Sequence, residues 1–245
     1  STARNENSQV KVLALIPARL ASTRFPNKPL AKILGKSMLQ HIVERVMMCD
    51  EIDDVAVATC DKEIIEHIES LGFKAVMTSN THERASDRCA EAVTKLKKEG
   101  KIIDFGVSNF TASQTELIRQ KIAIDYNQVQ FSATHHEAML DGSLDYMQLH
   151  NIRPMSWNPL GTVFREDIEQ TRRLKKLLVQ LVDKYHLGSD TILLAWVLKH
   201  PANIIPVAGT VNIARIQALI KAVEMDLDTL DWFAIWTESM GNKVP

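Results

Sequence analysis

The stretch from Ser86 to Phe110 constrains this chain most. In its first half, Ala90, Val93 and Leu96 hold an apolar stripe at three-residue spacing. Lys95, Lys97 and Lys98 follow near the end and Gly100 comes after them, which predicts a helix stopped by glycine. The second half, Ile102 to Val107, predicts a short buried strand. It runs into Ser108-Asn109, at the strand end where α/β folds place their ligands. The same step recurs along the chain. Val12–Ile16, Val55–Thr59, Ala75–Thr78, Ile102–Val107, Asn127–Gln130, Pro154–Trp157 and Ile204–Val207 all read as strands separated by helical segments. Such alternation predicts an α/β protein of βα units with a mainly parallel sheet, here seven strands of one sheet in one α/β domain.

Charge and composition narrow the function. A net charge of −1, with 24% charged and 45% apolar residues, lacks the basic excess of a nucleic-acid binder. No run approaches the roughly 18 apolar residues of a membrane span, and Ser1 to Gln9 reads as a disordered, polar tail. Cys49, Cys60 and Cys89 have no metal-ligand spacing, which points to buried thiols in a reduced cytoplasmic setting. The expected partner is a small-molecule nucleotide, with no nucleic acid and no membrane.

The first strand leads into Pro17 to Leu30. Three prolines keep this loop from folding into a helix. Arg19, Arg24 and Lys28 supply cations, and Ser22 and Thr23 supply hydroxyls. Convergent cations and backbone N–H groups after a central strand suit a triphosphate. The pattern Pro-Ala-Arg-x-x-Ser-Thr-Arg-x-Pro-x-Lys-Pro-Leu resembles the nucleotidyltransferases that couple CTP to an acidic sugar, 3-deoxy-manno-octulosonate cytidylyltransferases above all. The resemblance covers residues 10–90 and implies a Rossmann-like fragment. By it, Arg19, Ser22, Thr23, Arg24, Lys28, Asp87 and Arg88 would contact CTP. Arg84 and Ala85 stand where the family has serine and glycine, and the Gln-Gly-Asp that holds its magnesium is absent, so magnesium is not expected. His41 and His67 are expected to be packing or surface residues.

Residues 91–245 carry a different resemblance. Phe105-Gly106-Val107-Ser108-Asn109-Phe110, Asn127-Gln128-Val129-Gln130, Arg153 to Gly161 and Ile204 to Thr210 look like the second half of an aldo/keto reductase, which implies half of a (β/α)8 barrel. Helices are expected from Thr111, from His135 to His150, over Asp167–His186, over Asp190–His200 and from Ile213. The resemblance implies that Ser108, Asn109 and Gln128 hydrogen-bond a nicotinamide carboxamide and that Trp157 stacks on the ring. Asn158, Leu160 and Gly161 would contact the pyrophosphate. Gly209, Thr210 and Arg215 would hold the 2′-phosphate of NADP. Asn158 replaces the usual serine, and Val211-Asn212 replaces a more basic pair. The reductase's catalytic Asp, Tyr, Lys and His belong to its missing first half. Tyr126, Tyr146 and Tyr185 match none of them, and His135-His136 is expected at the surface.

The expectation is therefore a chimeric or internally deleted fusion. It would retain NADP(H)-type and CTP-type binding elements while lacking both parents' catalytic sets. The alternatives are an active cytidylyltransferase or NADPH-dependent reductase, and a ligand-free scaffold. An incomplete barrel has an unpaired sheet edge, which favours a homodimer.

Overall fold

A computed structural model describes residues 11–21, 26–50, 52–207 and 212–245, in two compact units, Ser1–Ile103 and Asp104–Pro245. The N-terminal unit comprises β1 (Leu13–Pro17), β2 (Lys32–Ile33), β3 (Lys36–Ser37), α1 (Met38–Met47), β4 (Asp54–Thr59), α2 (Lys62–Ser70), β5 (Lys74–Met77) and α3 (Ala85–Lys98). Its parallel sheet has the order β1-β4-β5. The central strand β4 is the apolar one, with Val55 to Thr59 buried. Leu39 and Val43 of α1 and Ile64 and Ile68 of α2 pack into its core. Each such side chain contributes about 1.5–3 kcal/mol by leaving water. The edge strand β1 is only half-buried, and Val12 before it is exposed.

Local signals set the element ends. Ser37 caps α1 by accepting from the Gln40 amide at 3.0 Å. Gly100, with φ 67°, ends α3: its amide reaches the Lys97 carbonyl at 3.0 Å while Lys101 reaches Leu96 at 2.9 Å. The β2–β3 hairpin was not anticipated. Its Leu34-Gly35 turn, with φ 50° and 83°, has the left-handed pair that suits the strand twist, but its two-residue strands carry no readable period.

The C-terminal unit comprises β6 (Gly106–Ser108), α4 (Ala112–Arg119), β7 (Tyr126–Gln130), α5 (Ser143–Leu149), β8 (Arg153–Trp157), α6 (Glu169–Tyr185), α7 (Ser189–Lys199), β9 (Ile205–Pro206), α8 (Ile213–Glu224) and α9 (Thr229–Met240). Its strands are parallel, in the order β6-β7-β8-β9. Trp196 of α7 is fully buried at the centre of the core. Its ring stacks on Phe131 (5.4 Å) and on Trp232 (5.2 Å, 10° between planes). The two indoles also exchange N–H bonds with each other's backbone carbonyls, at 3.0 and 2.9 Å.

Several expectations need correction. The α/β class and parallel βα units hold, but the seven strands form two sheets, not one. Helix α3 packs back on β1 and β4, and among the described residues β6 pairs only with β7. The strand expected over Ile102–Val107 is three residues long, because the chain leaves α3 through a turn that puts Ile103 88% in solvent. The helix expected from His135 is broken. A 3₁₀ turn at Glu137–Met139 gives way to left-handed Gly142 before α5 begins, and His136 is buried instead of lying at the surface. Of the thiols, Cys49 is exposed and Cys60 and Cys89 are half-buried, so the expectation of three buried thiols fails. No helix among the described residues is long and apolar enough to cross a membrane.

Candidate functional site

The strand ends of the C-terminal unit bring four expected residues together. Asn109 takes a left-handed conformation (φ 54°) just past β6, and its amide donates to the Gln128 carbonyl at 2.8 Å. Ser108 Oγ donates to the same carbonyl at 3.2 Å. From β8, Trp157 Nε1 donates to Asn109 Oδ1 at 2.9 Å, tying the two strands that flank β7. Ser108 and Asn109 are exposed, while Gln128 and Trp157 are half-buried. The strand ends thus present amide and hydroxyl groups beside an aromatic ring.

The loop after Trp157 is preset. Asn158 (φ 54°) and Gly161 (φ 60°) are both left-handed, and the Gly161 amide donates to the Asn158 carbonyl at 2.8 Å. A Cβ on Gly161 would lie 2.0 Å from Thr134 Oγ1 and 2.6 Å from Ser132 Oγ, so only glycine fits. Leu160 anchors the loop by packing against the core. The sequence reading missed Arg165, whose Nη2 donates to Asn158 Oδ1 at 2.7 Å and to the Gly161 carbonyl at 2.9 Å. The available signal was a lone guanidinium four residues past the glycine. Arg215 is exposed in the first turn of α8, and Asn212 caps that helix by accepting from the Ala214 amide at 2.9 Å. Gly209 and Thr210 lie outside the described residues, so their juxtaposition with Arg215 is not part of this geometry.

In the N-terminal unit the loop after β1 is held at its root. The Ala18 amide donates to the Ala58 carbonyl, and the Leu20 amide donates to Asp61 Oδ2 at 2.7 Å. Asn27, left-handed at φ 58°, closes the loop by donating to the Leu20 carbonyl at 3.1 Å. Arg19 and Lys28 are exposed. Ser22, Thr23 and Arg24 lie outside the described residues. Asp61, not singled out as a site residue, orients this loop from the end of β4.

The start of α3 is a charged knot. Arg88 is buried, and its guanidinium donates to Thr78 Oγ1 at 2.7 Å, to the Ser79 carbonyl at 3.3 Å and to the His82 carbonyl at 3.5 Å. Its described role is to hold the 78–82 loop. Asp87 sits in the first turn, half-buried. Glu91 accepts from the Ser79 amide, His82 and Lys95. Burial alone would raise its carboxyl, but these three donors outweigh it and hold the pKa at about 2. Burial pushes the neighbouring Cys89 thiol up to about 11 despite the Arg88 charge.

His41, His67 and His136 have structural partners. His67 Nε2 meets Ser37 Oγ at 2.6 Å, and His41 Nε2 meets the Ile33 carbonyl at 2.8 Å, as packing residues would. His136 contacts Met240 Sδ at 3.0 Å and the edge of Trp236. Burial lowers its pKa. Among the described residues no group of three or more His, Cys, Asp or Glu could hold a metal ion.

Comparison with known proteins separates the two parts of the chain. A 3-deoxy-manno-octulosonate cytidylyltransferase of Thermodesulfovibrio yellowstonii is 51% identical over 88 residues, 36% of this chain and 34% of the relative. The uncharacterized oxidoreductase YcsN of Bacillus subtilis is 38% identical over 161 residues, 64% of this chain and 54% of the relative. The oxidoreductase YdhF of Escherichia coli is 34% identical over 165 residues, 65% of this chain and 55% of the relative. The chain therefore spans about half the length of the oxidoreductases it matches and about a third of the transferase. A crystal structure of a thermostable aldo-keto reductase superposes with a TM-score of 0.59 at 17% identity, over 75% of this chain and 70% of that one, a likeness of fold alone. The oxidoreductase-like part is thus joined to a transferase-like part, and through residues 13–141, which match the model for cytidylyltransferases, the chain belongs to the cytidylyltransferase family.

Proposed function

We propose that this chain is a nucleotide-binding mosaic whose C-terminal unit takes a nicotinamide dinucleotide, with NADP(H) preferred, and turns over little or nothing. The observation that carries this reading is the Trp157–Asn109 bond across the end of β7. It sets an indole beside Ser108, Asn109 and Gln128, where a planar ring bearing an amide would be stacked and hydrogen-bonded at once. Asn158, Leu160 and Gly161, braced by Arg165, would face the pyrophosphate, and Arg215 would supply the cation for a 2′-phosphate. When bound, the cofactor would supply hydride. The chain's own part is to orient the ring and hold the phosphates.

Low turnover follows from the missing residues, since loss of a general acid alone removes on the order of 10²–10⁴ in rate. The N-terminal loop, rooted on Asp61 and carrying Arg19 and Lys28, supports CTP as a weaker ligand. The reduced cytoplasm is the compartment in which such a nucleotide binder would work.

Calorimetric titration of the full chain with NADPH, NADH and CTP tests the proposal. NADPH should bind most tightly, and Trp157→Ala should weaken it about tenfold, the value of one stacked ring, with an unchanged melt. Failure to bind any of the three would overturn the reading. Steady NADPH oxidation with a simple aldehyde, abolished by Trp157→Ala, would overturn the low-turnover part.

A further inference from the structure

Helix α8 is apolar on two sides. Ala218 and Ala222 are buried in the core of their unit. Ile213, Ile216, Ile220 and Val223, at spacings of three, four and three, line another face and stay 72%, 41%, 53% and 67% exposed. A helix with two apolar faces is built to have two neighbours. At the other end of the sheet, α4 also leaves an apolar side chain open, Leu117 at 48%.

The two sheet edges differ in a complementary way. Along a strand, successive peptide groups point to opposite edges. In β9 the Val207 amide bonds to Ser156 of β8, so Pro206 faces outward and offers a carbonyl acceptor but no donor. In β6 the Asn109 amide bonds to Gln128 of β7, so the N–H groups of Gly106 and Ser108 face outward as donors. One edge lacks a donor and the other supplies it.

We propose that two copies of this chain associate through their C-terminal units about a two-fold axis parallel to the strands. That rotation keeps all strands parallel and sets β9 of each copy beside β6 of its partner, bringing the count from four to the eight of a closed parallel barrel. It also lays the α8 stripe against the partner's α4, where Leu117 lies open. The occupant of the apolar face is a second copy because donor-poor and donor-rich edges both belong to one chain, and the rotation satisfies both at once. The inference is independent of whether a nucleotide binds.

Light scattering across a concentration series tests it, with paired substitutions on the stripe. The full chain should be dimeric at micromolar concentration, and Ile216→Glu with Ile220→Glu should raise the dimer Kd on the order of a hundredfold or more. Both positions are solvent-facing, so the near-ultraviolet dichroism of the variant should match the parent; Ile216→Ala with Ile220→Ala gives a milder variant should it not. In a Cys49→Ser background, a Leu117→Cys protein mixed with an Ile220→Cys protein should form a disulfide-linked pair. A monomer at about 100 µM, a dimer indifferent to both stripe variants, or a dimer without the mixed cross-link would each overturn the proposal.

Discussion

The two units hold their candidate sites by different means. In the N-terminal unit the loop after β1 is held at its root by the Asp61 carboxylate and the Ala58 carbonyl, and the 78–82 loop is tied down by Arg88 and Glu91. In the C-terminal unit the strand ends are joined by an indole and backbone amides, above a core centred on Trp196. Charge networks respond to pH and salt, whereas an aromatic core responds to lost volume. The same molecule should therefore fail in two distinguishable ways.

The largest expected effect is on the aromatic side. Trp196→Ala removes a fully buried ring stacked on two others and should cost about 3–5 kcal/mol. Scanning calorimetry should show the transition of the C-terminal unit falling or vanishing while that of the N-terminal unit stays in place. A common shift of both would erase the distinction between the units.

Next comes the charge knot. Glu91 titrates at about 2 in the fold against an ordinary 4.5, so its contribution is complete above pH 4.5 and fades as pH falls toward 2. Glu91→Gln should cost roughly 2–3 kcal/mol at neutral pH after discounting for its half-exposed Lys95 partner, and nearly nothing near pH 2. Urea titrations of parent and variant across that range measure it. A pH-independent difference would mean that Glu91 acts by packing.

A smaller effect sharpens the C-terminal side. Arg215 stands exposed at the start of α8, and a charge-assisted contact to a 2′-phosphate contributes roughly 1.5–3 kcal/mol. Arg215→Ala should weaken NADPH on the order of tenfold to a hundredfold and leave NADH nearly unchanged, with the difference eroded by salt. Equal losses of both cofactors would make Arg215 structural. The smallest effect is expected at the capping box. Thr111 Oγ1 accepts from the Gln114 amide at 3.2 Å and the Thr111 amide donates to Gln114 Oε1 at 3.0 Å, so Thr111→Ala should cost about 1 kcal/mol in a thermal melt.

Long amphipathic segments were the most legible part of the sequence. The helices expected over Asp167–His186 and Asp190–His200 form as Glu169–Tyr185 and Ser189–Lys199. The first carries an apolar stripe through Leu174, Leu178 and Leu181, the second is one continuous buried run from Thr191 to Val197, and the Thr111–Gln114 cap has a local pattern of its own. Strand pairing was not legible. The run through Ile102 and Ile103 has strand composition, yet the turn ending α3 spends those residues on changing direction. Counting βα units also says nothing about which edges meet, and so one sheet was expected where two formed. At the candidate site, residue types could be read from motifs, but the Trp157–Asn109 bond and the Arg165 brace depend on left-handed asparagines that no pattern announces.

All four tryptophans, Trp157, Trp196, Trp232 and Trp236, fall in the C-terminal unit. Optical methods therefore see the molecule unequally. The stacked, near-parallel pair Trp196–Trp232, 5.2 Å apart, should couple its electronic transitions and give a strong near-ultraviolet dichroism band that disappears when that core loosens. The N-terminal unit contributes no indole, so it can melt without changing tryptophan emission. An unfolding curve recorded by tryptophan fluorescence is a record of one half of this protein, and the other half has to be followed through its backbone.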